Sequence, residues 1–117
     1  ITPFISQLRT MMAHGEQRNI VLIYAVASAT EIAYREVLEA SGIQVVIVTP
    51  GTVGALPASW VHIDAARADG AVIGKLSGTV RGRRAYVSGP PLFVRSLRSS
   101  LKMYGARKVV TDYFTGY

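Results

Sequence analysis

The stretch NIVLIYAVASATEIAYREVLEASGIQVVIVT, residues 19–49, decides the fold class. It begins with a continuous apolar run at 19–26 and ends with a second one at 43–49. Both runs are rich in β-branched residues and lack alternation, which is typical of strands buried on both faces. The longer segment between them, 28–41, has the spacing of an amphipathic helix. A strand, a helix and a second strand in this order predict a βαβ unit with parallel strands.

The connecting helix carries signals at both of its ends. Ser28 and Glu31 match the S-x-x-E capping box, and Gly42 is expected to stop the helix. The sequence therefore predicts a helix over 28–41. Its buried or boundary positions are predicted to be Ile32, Tyr34, Val37 and Leu38.

The same alternation continues on both sides of this unit. Before it, a helix is predicted over 3–14, with Thr2 as N-cap, Pro3 at the first helical position and Gly15 after its end. After this unit we predict a Gly/Pro-rich loop, a short strand at 61–64 and a short helix at 69–76 ending near Gly78. These are followed by a strand at 83–89, a helix at 90–105 and a strand at 106–113. The helix at 90–105 is predicted to have Pro90 or Pro91 at its first position and Gly105 after its end. Residues 1–117 are therefore expected to form one α/β domain, a parallel sheet with helices on both faces.

The composition excludes several kinds of site. The chain has no cysteine, so it carries no disulfide, thiolate zinc site or iron–sulfur cluster of its own. His14 and His62 are too far apart for a metal-ligand spacing, and no metal site is predicted. The longest apolar run, 20–27, is much shorter than the roughly 20 residues of a membrane-spanning helix. No Gly-Lys-Ser/Thr occurs, which excludes a Walker P-loop.

The chain is basic, with a formal net charge of +6. Its basic residues form three clusters: Arg81, Arg83 and Arg84; Arg95, Arg98 and Lys102; Arg107 and Lys108. Solvated helix faces and turns are the ordinary interpretation of such clusters. A basic α/β module that binds nucleic acid, or one that docks an acidic electron-carrier protein, stays open as an alternative. Nucleic acid is the less favoured partner, because the strand at 86–88 carries no stacking aromatics in a recognisable RNA-binding pattern.

Ligands of open parallel sheets bind beyond the carboxyl ends of the strands, so the strand-to-helix loops are the candidate site. Two of these loops enter a helix through proline: Thr2-Pro3, and Ser88-Gly89-Pro90-Pro91. Glycine permits close backbone approach, and a helix N-terminus offers free N–H groups to an anion. Two such ends side by side would suit a pyrophosphate. For either loop alone, a plain strand-to-helix turn is the alternative.

Four motifs together resemble the ferredoxin–NADP reductase family. They are ITPF-x-S-x-L-R at the start, Y-x-x-x-x-x-x-E-x-x-Y-R-x-x-L over 24–38, YVSGPP over 86–91 and DYFTGY over 112–117. They occur in the order of that family's nicotinamide-nucleotide domain and cover essentially the whole chain. The resemblance implies a Rossmann-like domain that positions NAD(P)H for hydride transfer to or from FAD, which is held mainly by an upstream flavin-binding domain.

The resemblance also implies a setting and partners. The chain would be the NAD(P)H-binding part of a flavin-dependent reductase, inactive without the flavin domain. It would lie in the cytoplasm, or at the cytoplasmic face of a membrane if the parent protein has membrane segments. The implied partners are that flavin domain and either an acidic carrier of the ferredoxin or flavodoxin type or a membrane electron-transport module.

The same resemblance assigns residues to the cofactors, all near the carboxyl ends of strands. Thr2 and Pro3 are implied to bind beside the pyrophosphate and nicotinamide, and Gly89, Pro90 and Pro91 at the nicotinamide. Thr49 and Pro50 are implied to lie at the adenosine end of the nucleotide. The implied set is completed by Tyr24, Ala25 and Val26, which end the neighbouring strand. Ser88 stands where the family commonly has cysteine, close to the hydride-transferring carbon, and Asp112 matches an acidic position near the flavin. These two are the implied catalytic residues. Phe114 or Tyr117 would cover the flavin ring, with core packing as the alternative.

Two departures from the family pattern lead to further expectations. Members that prefer NADPH often grip its 2′-phosphate with a Ser and an Arg, whereas this chain has no Arg or Lys between residues 36 and 66, which favours NADH. The family also has a central strand and Gly-x-Gly before Ile-Thr-Pro, and this chain starts at Ile1 inside that motif. We therefore expect the first, central strand to be missing, so that the sheet has a gap between the strands at 19–26 and 83–88, is filled by another chain, or depends on residues outside this sequence.

Overall fold

A computed structural model describes residues 2–15, 19–28, 30, 32–65, 74, 76 and 78–113, with positions 2, 3, 112 and 113 described by their backbone. The elements in chain order are α1 (Thr2–Ala13), β1 (Ile20–Ala25), α2 (Arg35–Ser41), β2 (Gln44–Val48), β3 (Trp60–Ile63), β4 (Arg84–Gly89), α3 (Pro91–Met103) and β5 (Lys108–Tyr113). Positions 74, 76 and 78–80 are also helical. No helix in these described ranges is long and apolar enough to cross a membrane.

The strands form one sheet in the order β3-β2-β1-β4-β5, and every pairing is parallel. The predicted α/β class, a Rossmann-like parallel sheet, is confirmed. The predicted gap is wrong, because β1 pairs directly with β4, Ile20 lying opposite Arg84 and Tyr24 opposite Ser88. These two strands take up each other's backbone hydrogen-bonding groups, which a gap would have left unpaired.

Alternate residues of each strand face opposite sides of the sheet, as the two-residue period of a strand requires. The first core contains buried residues of α1 and α2, packed on strand residues such as Leu22, Tyr24 and Ile47. The second contains Phe93, Val94, Leu97 and Leu101 of α3, Leu76 and Val80 of the helical segment before β4, and strand residues such as Val21 and Ile23. The predicted placement of helices on both faces is therefore confirmed, and each face has its own apolar core.

The second helix differs from its prediction at its N-terminus. It begins at Arg35 rather than at 28, so Ser28 is not its N-cap, and the Ser28 side chain hydrogen-bonds Thr30 at 3.0 Å instead. Glu31, the other residue of the predicted capping box, lies outside the described residues. Tyr34 precedes the helix with φ 59°, an uncommon left-handed conformation for a bulky residue. The Ala33 amide donates to the Tyr24 hydroxyl at 3.3 Å, which ties this segment to the end of β1. This hydrogen bond uses the Ala33 amide, which in a longer helix would donate to a backbone carbonyl of the helix itself.

Most helix ends follow the sequence signals. Gly15, Gly42 and Gly105, which follow α1, α2 and α3, all have positive φ, as a left-handed helix stop requires. Pro91 is the first residue of α3, which decides between the two prolines. The short helix predicted at 69–76 falls mostly outside the described residues, and the helical segment ends at Val80, two residues after Gly78.

Candidate functional site

The carboxyl ends of β1 and β4 form the topological switch point of the sheet. From β1 the chain moves outward through β2 to β3, and from β4 it moves the other way to β5. Open α/β sheets bind their ligands at this crevice. Helix α3 follows β4 directly, so its N-terminus lies at the same edge. Helix α1 leads back to the start of β1, so it runs antiparallel to that strand. Its 12 residues span about 18 Å at 1.5 Å per residue. Its N-terminus therefore also reaches the carboxyl edge, the edge of the sheet where the strands end.

Helix α1 is held to the sheet by aromatic contacts near its N-terminus. The rings of Phe4 and Tyr86 lie with centroids 4.5 Å apart, and the Tyr86 hydroxyl donates to Gln7 Oε1 at 3.0 Å. Tyr86 stands two residues before Ser88 on the same side of β4. The backbone of Thr2 and Pro3 therefore begins a helix over the face that carries Ser88, while their side chains lie outside the described part of the chain.

Ser88 is a buried hydroxyl without a partner. It is 2% exposed, and its Oγ has no hydrogen-bond partner among the described residues. A buried polar group that is left unpaired costs about 1–3 kcal/mol. The switch point thus contains one buried hydroxyl that no described residue hydrogen-bonds.

Thr49 repeats this feature directly after β2. Its side chain is fully buried, and Oγ1 has no partner in the same described set. Its backbone is satisfied, because its amide donates to the Ile63 carbonyl at 3.2 Å and its carbonyl accepts from His62 Nε2 at 3.0 Å. The His62 side chain thus makes a structural hydrogen bond to the residue that follows β2. Pro50, in contrast, is exposed.

Three residues at the end of β1 that were predicted to bind cofactor have packing or hydrogen-bonding roles within the fold. Tyr24 is 2% exposed and accepts the Ala33 amide, Ala25 is 8% exposed, and Val26 is half-buried with its amide bonded to the Val48 carbonyl at 3.1 Å. They lie at the predicted edge, but their side chains or amides already have packing or hydrogen-bonding roles.

Gly89 is required by packing between the two central strands. A Cβ at this position would stand 2.9 Å from the Cβ of Ala25 and 3.2 Å from Cδ1 of Phe93. Pro90 then caps α3 in an extended conformation with φ −60° and ψ 149°, and Pro91 starts the helix. The alternative interpretation of this loop as a strand-to-helix turn is therefore sufficient to explain its glycine, while Ser88 on the opposite side of β4 stays unexplained by packing.

The C-terminal candidates are described only in part. The backbone of Asp112 lies opposite Ser88 in the β4–β5 ladder, so the two implied catalytic residues are neighbours in register. The side chain of Asp112, and all of Phe114 and Tyr117, lie outside the described residues. Their roles stay predictions.

Arg35 of α2 contacts the loop that follows β2 and was not among the residues predicted from the sequence. Its Nη2 donates to the Ala55 carbonyl at 2.7 Å, its Nε bonds Glu39 Oε1 at 2.8 Å, and its guanidinium lies 5.7 Å from the ring centroid of Trp60. The loop after β2, which has no cation of its own, thus receives one from α2. The Y-R pair at the start of α2 was the available signal, but only the fold places it beside this loop.

Within the described ranges, no three His, Asp or Glu side chains come together as a metal site would require.

No family model matches the chain, and no curated protein or solved structure matches it either.

Proposed function

We propose that this chain is a nicotinamide-dinucleotide-binding domain of an FAD-dependent oxidoreductase, with NADH as the preferred nucleotide. The observation that carries the proposal is the buried hydroxyl of Ser88 at the switch point, on the α1 side of β4, which has no hydrogen-bond partner among the described residues. A ligand with hydrogen-bonding groups would satisfy this hydroxyl, and one with phosphates would face two helix N-termini. A dinucleotide carries both kinds of group.

The buried hydroxyls fit such a ligand and suggest how it would lie. Ser88 Oγ would hold the nicotinamide end beside Gly89 and Pro90, and Thr49 Oγ1, which is also unpaired, would serve the adenosine end. When both cofactors are bound, the nicotinamide and the flavin supply the hydride chemistry. The contribution of this chain would be to bind and orient the nucleotide and to exclude water. FAD, its upstream domain and an acidic electron carrier or membrane electron-transport module belong to the same proposal.

Ser88→Ala is expected to separate binding from folding. Without ligand the variant should unfold at an equal or higher temperature, because it removes an unpaired buried hydroxyl. NADH at about 100 times its dissociation constant should stabilise the original chain by about 2.7 kcal/mol. In the variant this gain should fall by about 1.4 kcal/mol, which corresponds to tenfold weaker binding. Thermal melts with and without NADH measure both quantities.

Ser96→Ala is the matched control for this experiment. Ser96 lies on α3, where its hydroxyl already donates to the Leu92 carbonyl at 2.7 Å. Its replacement should leave the NADH-induced gain unchanged. No NADH-induced shift in the original chain would reject the proposed function, whereas a shift that Ser88→Ala leaves intact would reject the role of Ser88 alone.

NADPH is expected to bind roughly tenfold more weakly than NADH. Arg35, which contacts the loop after β2 at Ala55, is already paired with Glu39, so a 2′-phosphate would have to compete with that carboxylate. Glu39→Gln should free the guanidinium and narrow the difference between the two nucleotides. Glu36→Gln, an equal charge change on the same helix at an exposed residue, should not. Titrations of both nucleotides measure the ratio, and equal affinities in the original chain would contradict the NADH preference.

A further inference from the structure

A basic surface lies at the end of the sheet opposite the candidate site. We define the basic edge as the exposed or half-exposed residues Arg81, Arg83, Lys102, Met103, Tyr104, Arg107 and Lys108. They belong to the turn before β4, the last turn of α3 and the start of β5. The sequence from residue 70 to 111 contains no Asp or Glu, so the elements that build this edge bring no acidic group to it.

Backbone contacts hold the parts of the basic edge together. The Gly82 amide donates to the Gly105 carbonyl at 2.8 Å, which joins the turn before β4 to the end of α3. The Arg107 amide donates to the Arg83 carbonyl at 2.9 Å, and Lys108 lies opposite Arg84 in the ladder. The cations are thus fixed near one another by the fold, against their mutual repulsion.

None of these cations has an ion-pair partner among the described residues. Between them project two apolar or amphipathic side chains: Met103 is 85% exposed and Tyr104 is 40% exposed. Met103 is the most exposed of the large hydrophobic residues in the described ranges. The basic edge therefore combines two kinds of group. The cations attract negative charge, and the exposed thioether and aromatic side chains favour contact with an apolar layer.

We propose that the basic edge binds an anionic phospholipid surface. Lys and Arg near such a surface each contribute about a fivefold gain in binding through the lipid head groups. Met103 would enter the acyl boundary, and Tyr104 would lie at the interface, where amphipathic rings are favoured. Nucleic acid would use the cations but leaves Met103 without a role, since single strands are bound by aromatic stacking platforms. The edge is remote from the switch point, so this proposal does not depend on the proposed function.

Co-sedimentation of the full 117-residue chain with vesicles tests this proposal. We expect binding to phosphatidylcholine vesicles with one third phosphatidylserine, and much weaker binding to phosphatidylcholine alone. Lys102→Gln with Arg107→Gln should lower the partition coefficient about twentyfold, from two lost cations. Met103→Ser should lower it about tenfold, because the side chain no longer leaves water. Added salt should weaken the binding of the original chain.

Helix α3 supplies matched controls at its other end. Leu92 is 79% exposed, and Arg95 is also exposed, about 10 Å along the helix from Lys102. Leu92→Ser, and Arg95→Gln combined with Arg9→Gln on α1, should change vesicle binding less than twofold. Circular dichroism checks that every variant is folded.

Three results would overturn the proposal. The first is no sedimentation with anionic vesicles. The second is equal losses in the control and edge variants, which would mean that only net charge acts. The third is a short oligonucleotide that binds more tightly than the vesicles and is insensitive to Met103→Ser, which would assign the edge to nucleic acid.

Discussion

Phe4→Ala is expected to lower the free energy of unfolding by about 3–5 kcal/mol, the range for removal of a buried aromatic side chain. Phe4 is 5% exposed and contacts the Tyr86 ring at a centroid distance of 4.5 Å. An aromatic pair adds about 0.5–1.5 kcal/mol to the effect of burial alone. Urea denaturation followed by circular dichroism measures the change, which should appear as a lower midpoint with a similar slope.

Met12→Ala on the same helix is the control. Met12 is 40% exposed, so its replacement should change the stability by no more than about 0.5 kcal/mol. A loss below 1 kcal/mol for Phe4→Ala would contradict the docking of α1 on the sheet. Because Phe4 lies in the first turn of α1, the same contact also fixes the N-terminus of that helix on the sheet. The proposed nucleotide site would thus depend on an apolar contact between α1 and β4.

The sheet could be predicted from sequence because its strands are buried on both faces. Continuous runs of β-branched residues at 19–26 and 43–49 leave few alternatives, and glycine after each helix marks its end. The start of α2 could not be predicted in this way. It depends on a hydrogen bond between Ala33 and Tyr24, nine positions apart, which outweighs the local signal of Ser28. Local propensity competes there with a tertiary contact, and the tertiary contact prevails.

The candidate site also combines features that the sequence predicts with features that depend on tertiary contacts. The switch-point rule brings Ser88 and Thr49 to one edge of the sheet, and this follows from the order of strands and helices. Whether their hydroxyls are paired depends on every side chain around them, which the sequence does not reveal. The contact of Arg35 with Ala55 spans 20 positions and depends on how α2 lies beside the loop after β2. An inventory of charges within that loop could not find it.

The two ends of the sheet differ in charge and in chemistry. The carboxyl edge contains buried hydroxyls and two helix N-termini, whereas the amino edge contains cations without an ion-pair partner among the described residues and an exposed methionine. A domain that bound a dinucleotide at one end and a lipid surface at the other would keep its nucleotide site turned away from the membrane. The Ser88 and Lys102 variants test these two properties independently, since neither residue contacts the other's surface.

Gly89→Ala is expected to lower the free energy of unfolding by about 1–3 kcal/mol, the usual cost of overpacking a close contact. The added methyl would lie 2.9 Å from the Cβ of Ala25, which is rigidly attached to β1. The central pair of strands would have to separate, or Phe93 and α3 would have to shift. Gly54→Ala is the control, because a Cβ there meets nothing within 4 Å.

Ala25→Gly makes the cause of this effect testable. Alone it should destabilise the chain by about 1 kcal/mol, because glycine weakens a strand. Combined with Gly89→Ala it removes the methyl that the new Cβ would strike, so the double variant should be more stable than the sum of the two single effects predicts. A coupling of at least 0.5 kcal/mol between the positions would show that β1 and β4 meet directly at the switch point. Strictly additive effects would mean that the strands are not in contact there, and the continuous sheet that replaces the expected gap would be wrong.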